Sequence, residues 1–164
     1  MFAAGLVLVP FSVFGFLAGK LVPRALRRVG AGSALTVSAL IVLVALALFA
    51  GTRAGIVELC AVMAILGFGV GSFSAALPAV VLPVVPSAET SSVMSINQVV
   101  RSVGFSFGSA VGGLVLAAGT SPGSTFPGED AYTSAAWVGV VVTAAAAIVS
   151  ASVLHGRAIA GHPT

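Results

Sequence analysis

Five long apolar runs, separated by short polar interruptions, set the pattern of this chain. They cover residues 2–18, 33–50, 56–82, 96–118 and 135–154. A helix crossing a bilayer needs roughly 20 mainly apolar residues. In lipid the backbone polar groups must be satisfied within the segment or by closing a barrel. The pattern therefore predicts an all-α membrane protein, a bundle of about five transmembrane helices filling residues 1–154.

The interruptions are chemically distinct. Residues 19–30 read GKLVPRALRRVG and hold Lys20, Arg24, Arg27 and Arg28. Gly51, Thr52, Arg53 and Ala54 form a short turn. Pro83 and Pro86 stop the third run, since proline lacks the N–H that a continuing helix needs. A polar stretch with Glu89 follows. Residues 119–134 are rich in Gly, Pro, Ser and Thr and carry Glu129 and Asp130. Residues 155–164 form a polar tail.

Composition agrees with this reading. Apolar residues make up 59% and charged residues 7% of the chain, against about 25% charged in a soluble domain. Mean hydropathy is +1.19. The formal charge of +3 does not point to nucleic acid, because four of the seven basic residues sit in one segment between two apolar runs. Such a cluster stays on the cytoplasmic side. That puts the N-terminus outside and the tail inside, with the acidic 119–134 segment external and Arg53 the one basic residue against the trend. The first run is expected to be a retained span, since a secretory signal carries its positive charge before the apolar stretch.

Small residues recur every four positions, which places them on one helix face. The third run has Gly67 and Gly71, continued by Ala75 and Ala79. The fourth has Gly104, Gly108 and Gly112, and the fifth Gly139, Thr143, Ala147 and Ala151. Helices in lipid associate by close backbone approach, so these rows are expected to be packing seams. The Gly67-Phe68-Gly69-Val70-Gly71-Ser72 stretch lacks the last glycine of a dinucleotide loop and lies inside a span, not after a strand.

Few polar residues fall within the runs. Arg101 sits about one turn into the fourth, with Asn97 a turn before it and Gln98 adjacent. A charge at membrane depth often lines a cavity or path, although arginine near a helix end also snorkels to the interface. Both roles are open, and the neighbouring amides lean toward a path or gate. Glu58, near the outer end of the third run, suits the interface or a proton-handling role. Cys60 is the only cysteine, so no internal disulfide can form. His155 and His162 lie in the tail without enough partners for a metal. Four carboxylates and two tail histidines assemble no nucleophile, base and orienting acid. No enzymatic activity, metal or cofactor is expected.

Residues Gly19, Leu21, Arg24, Arg27 and Arg28 match the pattern Gly-x-Leu-x-Asp-Arg-x-Gly-Arg-Lys/Arg, with Pro23 in place of Asp and Leu26 in place of Gly. That segment resembles the loop motif of the major facilitator superfamily. The order of Gly67 to Gly71, Leu77-Pro78, Val85-Pro86, Asn97 to Arg101 and the glycine row is similar to the C-terminal part of the fourteen-span drug:proton antiporter branch. The resemblance implies a C-terminal fragment of a secondary active transporter, a proton-coupled exporter of drugs or other small solutes. A six-span half would begin and end in the cytoplasm, so the resemblance also implies that a first helix and the N-terminal half of the transporter are partners outside this chain. Family transport sites lie between the halves near the midplane, and this chain would supply one wall. The alternative is a vestigial or scaffold membrane protein without transport activity.

Overall fold

A computed structural model describes the backbone of residues 2–29, 31–51, 55–121, 123–124 and 126–160, and the side chains of these except 2–4, 26–29, 31–32, 150 and 153–160. Five α-helices carry the fold: α1 (Phe2–Val29), α2 (Ala31–Gly51), α3 (Ile56–Val81), α4 (Thr90–Ala118) and α5 (Glu129–Ala160). All five are long and apolar enough to cross a membrane. At 1.5 Å per residue the 29 residues of α4 span about 43 Å, well beyond the roughly 30 Å of hydrocarbon.

Several boundaries differ from the apolar runs, outward except at the end of α3, which stops at Val81. Gly19 to Arg28, expected as a loop, continues α1 as helix through Val29 despite Pro10 and Pro23. Hydropathy marks the part of a helix that lipid can hold, whereas helical hydrogen bonding continues into polar sequence. Within this extension the Arg24 guanidinium donates to the Lys20 carbonyl at 3.0 Å. Lys20 Nζ lies 4.8 Å from the Phe16 ring centroid, so Phe16 caps an ammonium with its π face. Arg27 and Arg28 lie in the helical backbone, and their side chains fall outside the described residues, as does Arg53. Likewise α4 begins at Thr90, not near residue 96, and α5 continues to Ala160. Most of the expected tail, His155 included, is thus helical backbone, while His162 lies outside the described residues.

The third helix ends as its prolines require. Pro83 occupies the first turn of a short 3-10 helix, Leu82–Val84, which α3 runs into. A second one, Ser87–Glu89, leads into α4. Among the described residues the single positive φ belongs to Gly123, at 87°, in the turn between α4 and α5, where a side chain would be strained. That turn is tied back by Gly128 N–H donating to the Gly119 carbonyl at 3.2 Å.

Packing follows the small residues. α3 lies against α1 on one side and α2 on the other, and α2 packs in turn on α5. At the α1–α3 crossing the backbones touch: a methyl placed on Gly67 would overlap the Phe11 carbonyl, and one on Gly71 would stand 2.6 Å from the Gly15 carbonyl oxygen. Gly69 faces Ile41 and Val42 of α2, and Gly139 of α5 faces Leu46 of α2. The core where α1, α2 and α3 meet holds Ala18, Val22, Leu35 and Ala76, with Phe68 and Leu77 against it. Two buried hydroxyls lie in this region. Ser38 Oγ donates to the Ala34 carbonyl at 2.7 Å, whereas Ser72 Oγ, on a residue 3% exposed, has no partner among the described residues.

α4 stands apart. Its main contact is α5, with a close approach at the connecting turn, where Gly119 presses on Ala131. None of its residues is buried. The neighbours therefore run α1, α3, α2, α5, α4 in space, and α1 and α4 occupy the two ends of this row.

Candidate functional site

The candidate site is one side of α4. With 3.6 residues per turn, successive side chains are about 100° apart. Projected this way, Ile96, Val99, Val100, Val103, Phe107 and Leu114 fall in one half of the helix surface. All are exposed, Phe107 and Leu114 at 71% each. The other half holds Asn97, Gln98, Arg101, Phe105, the glycines Gly108 and Gly112, and the hydroxyls of Ser95, Ser102 and Ser109, with Gly104 and Ser106 at its two edges, and it turns apolar at Val115 and Leu116. α4 is thus a membrane-length helix with a lipid-compatible half and a polar, small-residue half.

The glycine row of α4, expected as a packing seam, has no helix of this chain against it. Gly104, Gly108 and Gly112 meet nothing within 4 Å of where a Cβ would stand. Their four-residue spacing equals that of Gly67 and Gly71, but those two have the backbone of α1 against them. Spacing supplies a flat face, and a seam forms only where another helix occupies it. Within this chain the α4 row is open surface.

Arg101 sits within the polar half, partly covered like Asn97 and Gly112. It lies five residues past Ile96, the start of the apolar half, hence about 8 Å inside that boundary. Its guanidinium carbon is 5.9 Å from the centroid of the Phe105 ring, one turn nearer the middle of the helix. A side chain snorkelling to the N-terminal end of α4 would lie farther from that ring. The planar cation therefore rests on an aromatic face within the apolar stretch of α4, a contact of about 0.5–2 kcal/mol. Among the described residues neither Asn97 nor Gln98 enters a side-chain hydrogen bond, so their amides remain available. Ser106 Oγ bonds its own helix, donating to the Ser102 carbonyl at 3.1 Å.

Glu58 is not part of this arrangement. It occupies the first turn of α3, whose N-cap is Gly55 in extended conformation without a side-chain cap. A carboxylate in a first turn complements the partial positive charge of the free N–H groups. Glu129 and Asp130 stand in the first turn of α5 in the same way, and Glu89 lies in the second 3-10 helix. All four acidic residues of the chain are therefore at helix starts or in the connection before α4. No group of three or more His, Cys, Asp or Glu that could hold a metal occurs among the described residues.

The serine flank escaped sequence reading. Counting rows at intervals of four finds Gly104, Gly108 and Gly112 but passes over Ser95, Ser102, Ser106 and Ser109, whose intervals are seven, four and three. A full angular projection of residues 90–118 would have found them.

No family model, curated protein or solved structure matches this chain.

Proposed function

We propose that this chain is the C-terminal part of a secondary active transporter of the major facilitator type, forming one wall of a path for small solutes. One observation carries the reading: α4 is as long as a span yet polar along one side as far as Gly112, no residue of that side is buried, and its glycine row has nothing of the rest of the chain against it. Lipid is a poor neighbour for a guanidinium, which costs about 2.5–3.5 kcal/mol or more at the centre of a spanning helix. Water in a path, or another helix, is a far better one. In this reading the remaining wall comes from spans outside the chain, which include the N-terminal half of the transporter. The chain sits in the cell membrane with its N-terminus outside and its C-terminus inside, holding Lys20, Arg24, Arg27 and Arg28 in the cytoplasm. Proton-coupled export is the expected activity, and the resemblance noted above supports it.

Its carboxylates argue for a division of labour. Glu58 sits at a helix start, so a proton-carrying acid belongs to the spans outside this chain. The test is efflux from cells that express the chain behind the spans encoded immediately upstream of it. Efflux of a drug panel that stops when the proton gradient is collapsed is the expected result. If such spans are not encoded there, or export never exceeds that of empty-vector cells, the chain is a scaffold or vestige instead.

A further inference from the structure

We infer that the path along α4 selects organic anions, solutes with a carboxylate or sulfonate on an apolar or aromatic body. This rests on the reading of α4 as a path wall and adds the chemistry of what passes it. The polar half of α4 presents one formal charge, the Arg101 cation, flanked by the Asn97 and Gln98 amides and by serine hydroxyls. Apart from Ser106, whose hydroxyl donates to the Ser102 carbonyl, each of these groups can donate hydrogen bonds, and a guanidinium can only donate. No acidic side chain shares this surface, because every acid of the chain stands at a helix start or in the connection before α4.

The field that this chain sets up along the face is therefore positive, and the apolar walls of a path would focus it on a passing solute. A cationic solute would meet a like charge with no carboxylate here to offset it. An anion would find a planar fork of donors suited to two carboxylate oxygens. Phe105 adds to this fit. Its ring supports the guanidinium from one side, leaving the N–H edge free, and offers an apolar surface to the body of the solute.

Charge-paired thiol reagents of equal size test the inference. In a Cys60→Ser background, a cysteine is placed at Ser102, and the chain is held in nanodiscs of neutral lipid. An anionic sulfonatoethyl and a cationic trimethylammonioethyl methanethiosulfonate are compared, each rate normalised to that with a free thiol in solution. The anionic reagent is expected to gain at least about five-fold over the cationic one, from a unit charge some 8 Å away even in high dielectric. Arg101→Gln should remove the gain and Arg101→Lys should keep most of it, which separates loss of charge from loss of structure. Benzoate should slow the labelling saturably, and benzylammonium should not. The benzoate effect should persist with the upstream spans present.

If both reagents react with no preference for the anion, anion selection is wrong and the path survives. If neither reacts, no water reaches this face, and both the path and the inference fall. Loss of benzoate protection once the upstream spans are added would mean that one of their carboxylates takes up the Arg101 charge, which also overturns the inference.

Discussion

Substituting Gly71 by alanine separates seams that are occupied from those that are merely spaced like seams. A Cβ at Gly71 would stand 2.6 Å from the Gly15 carbonyl oxygen, 2.8 Å from the Gly15 Cα and 3.1 Å from the Ala18 Cβ, where ordinary contact begins at 3.4 Å. The difference from 2.6 to 3.4 Å requires α1 to retreat by about 0.8 Å. Two of the three obstructing atoms are backbone, so no side-chain rotation relieves the clash. A radial gap of that size forfeits a quarter to a half of the dispersion energy of each separated contact. Overpacking of this kind costs about 1–3 kcal/mol. Gly67→Ala should cost at least as much, since its obstruction by Phe11 is tighter. Gly108→Ala meets open space and gains helix propensity of up to about 1 kcal/mol, so it should be neutral or mildly stabilising. Gly108→Leu should also stay within about 0.5 kcal/mol in the isolated chain. Unfolding in mixed micelles by SDS titration, followed by far-UV circular dichroism and Trp137 fluorescence, measures all four. Equal stability of Gly71→Ala and Gly108→Ala would refute the packing account of α1 against α3.

Orientation is open to direct labelling. With Cys60 removed, a cysteine at Ser124 should react with an impermeant thiol reagent on intact cells and one at Ser91 should be spared, and the reverse pattern would invert the topology. With the remaining spans restored, Arg101→Lys should impair export while leaving expression and insertion normal, because a point charge does not replace the planar donor fork. Wild-type rates would return Arg101 to the role of an interface anchor, which lysine fills equally well.

How far the fold could be read from sequence depends on which force was being read. The five apolar runs correspond to five helices because lipid selects for them directly. The helix ends did not follow the runs, since Gly19 to Val29 of α1, Thr90 to Ser95 of α4 and the last turns of α5 are polar or mixed segments, where hydropathy falls while helical hydrogen bonds continue. The glycine rows show a second limit. Gly67 with Gly71 and Gly104 with Gly108 are equivalent as local sequence, and only the tertiary placement of α1 distinguishes them. Arg101 and Asn97 stood out because charges and amides are rare in spans. The pairing of Arg101 with Phe105 is a four-residue spacing that carries no mark among ten phenylalanines, and the serine flank needs the whole helix projected before it becomes visible.

The central claim is that the polar half of α4 faces water or protein while the other half faces lipid. Spin labels placed singly at residues 96–114 of the chain in bilayers, and relaxed in turn by oxygen and by a water-soluble nickel chelate, measure this at each position. The account predicts collision with the nickel chelate that rises and falls with a period of 3.6 residues, highest near Gln98, Ser102, Phe105 and Ser109. Oxygen should instead dominate at Val99, Val103, Phe107 and Leu114. Uniform oxygen-dominated relaxation around the whole helix would contradict it, leaving α4 an ordinary lipid-bathed span and removing the basis for a path.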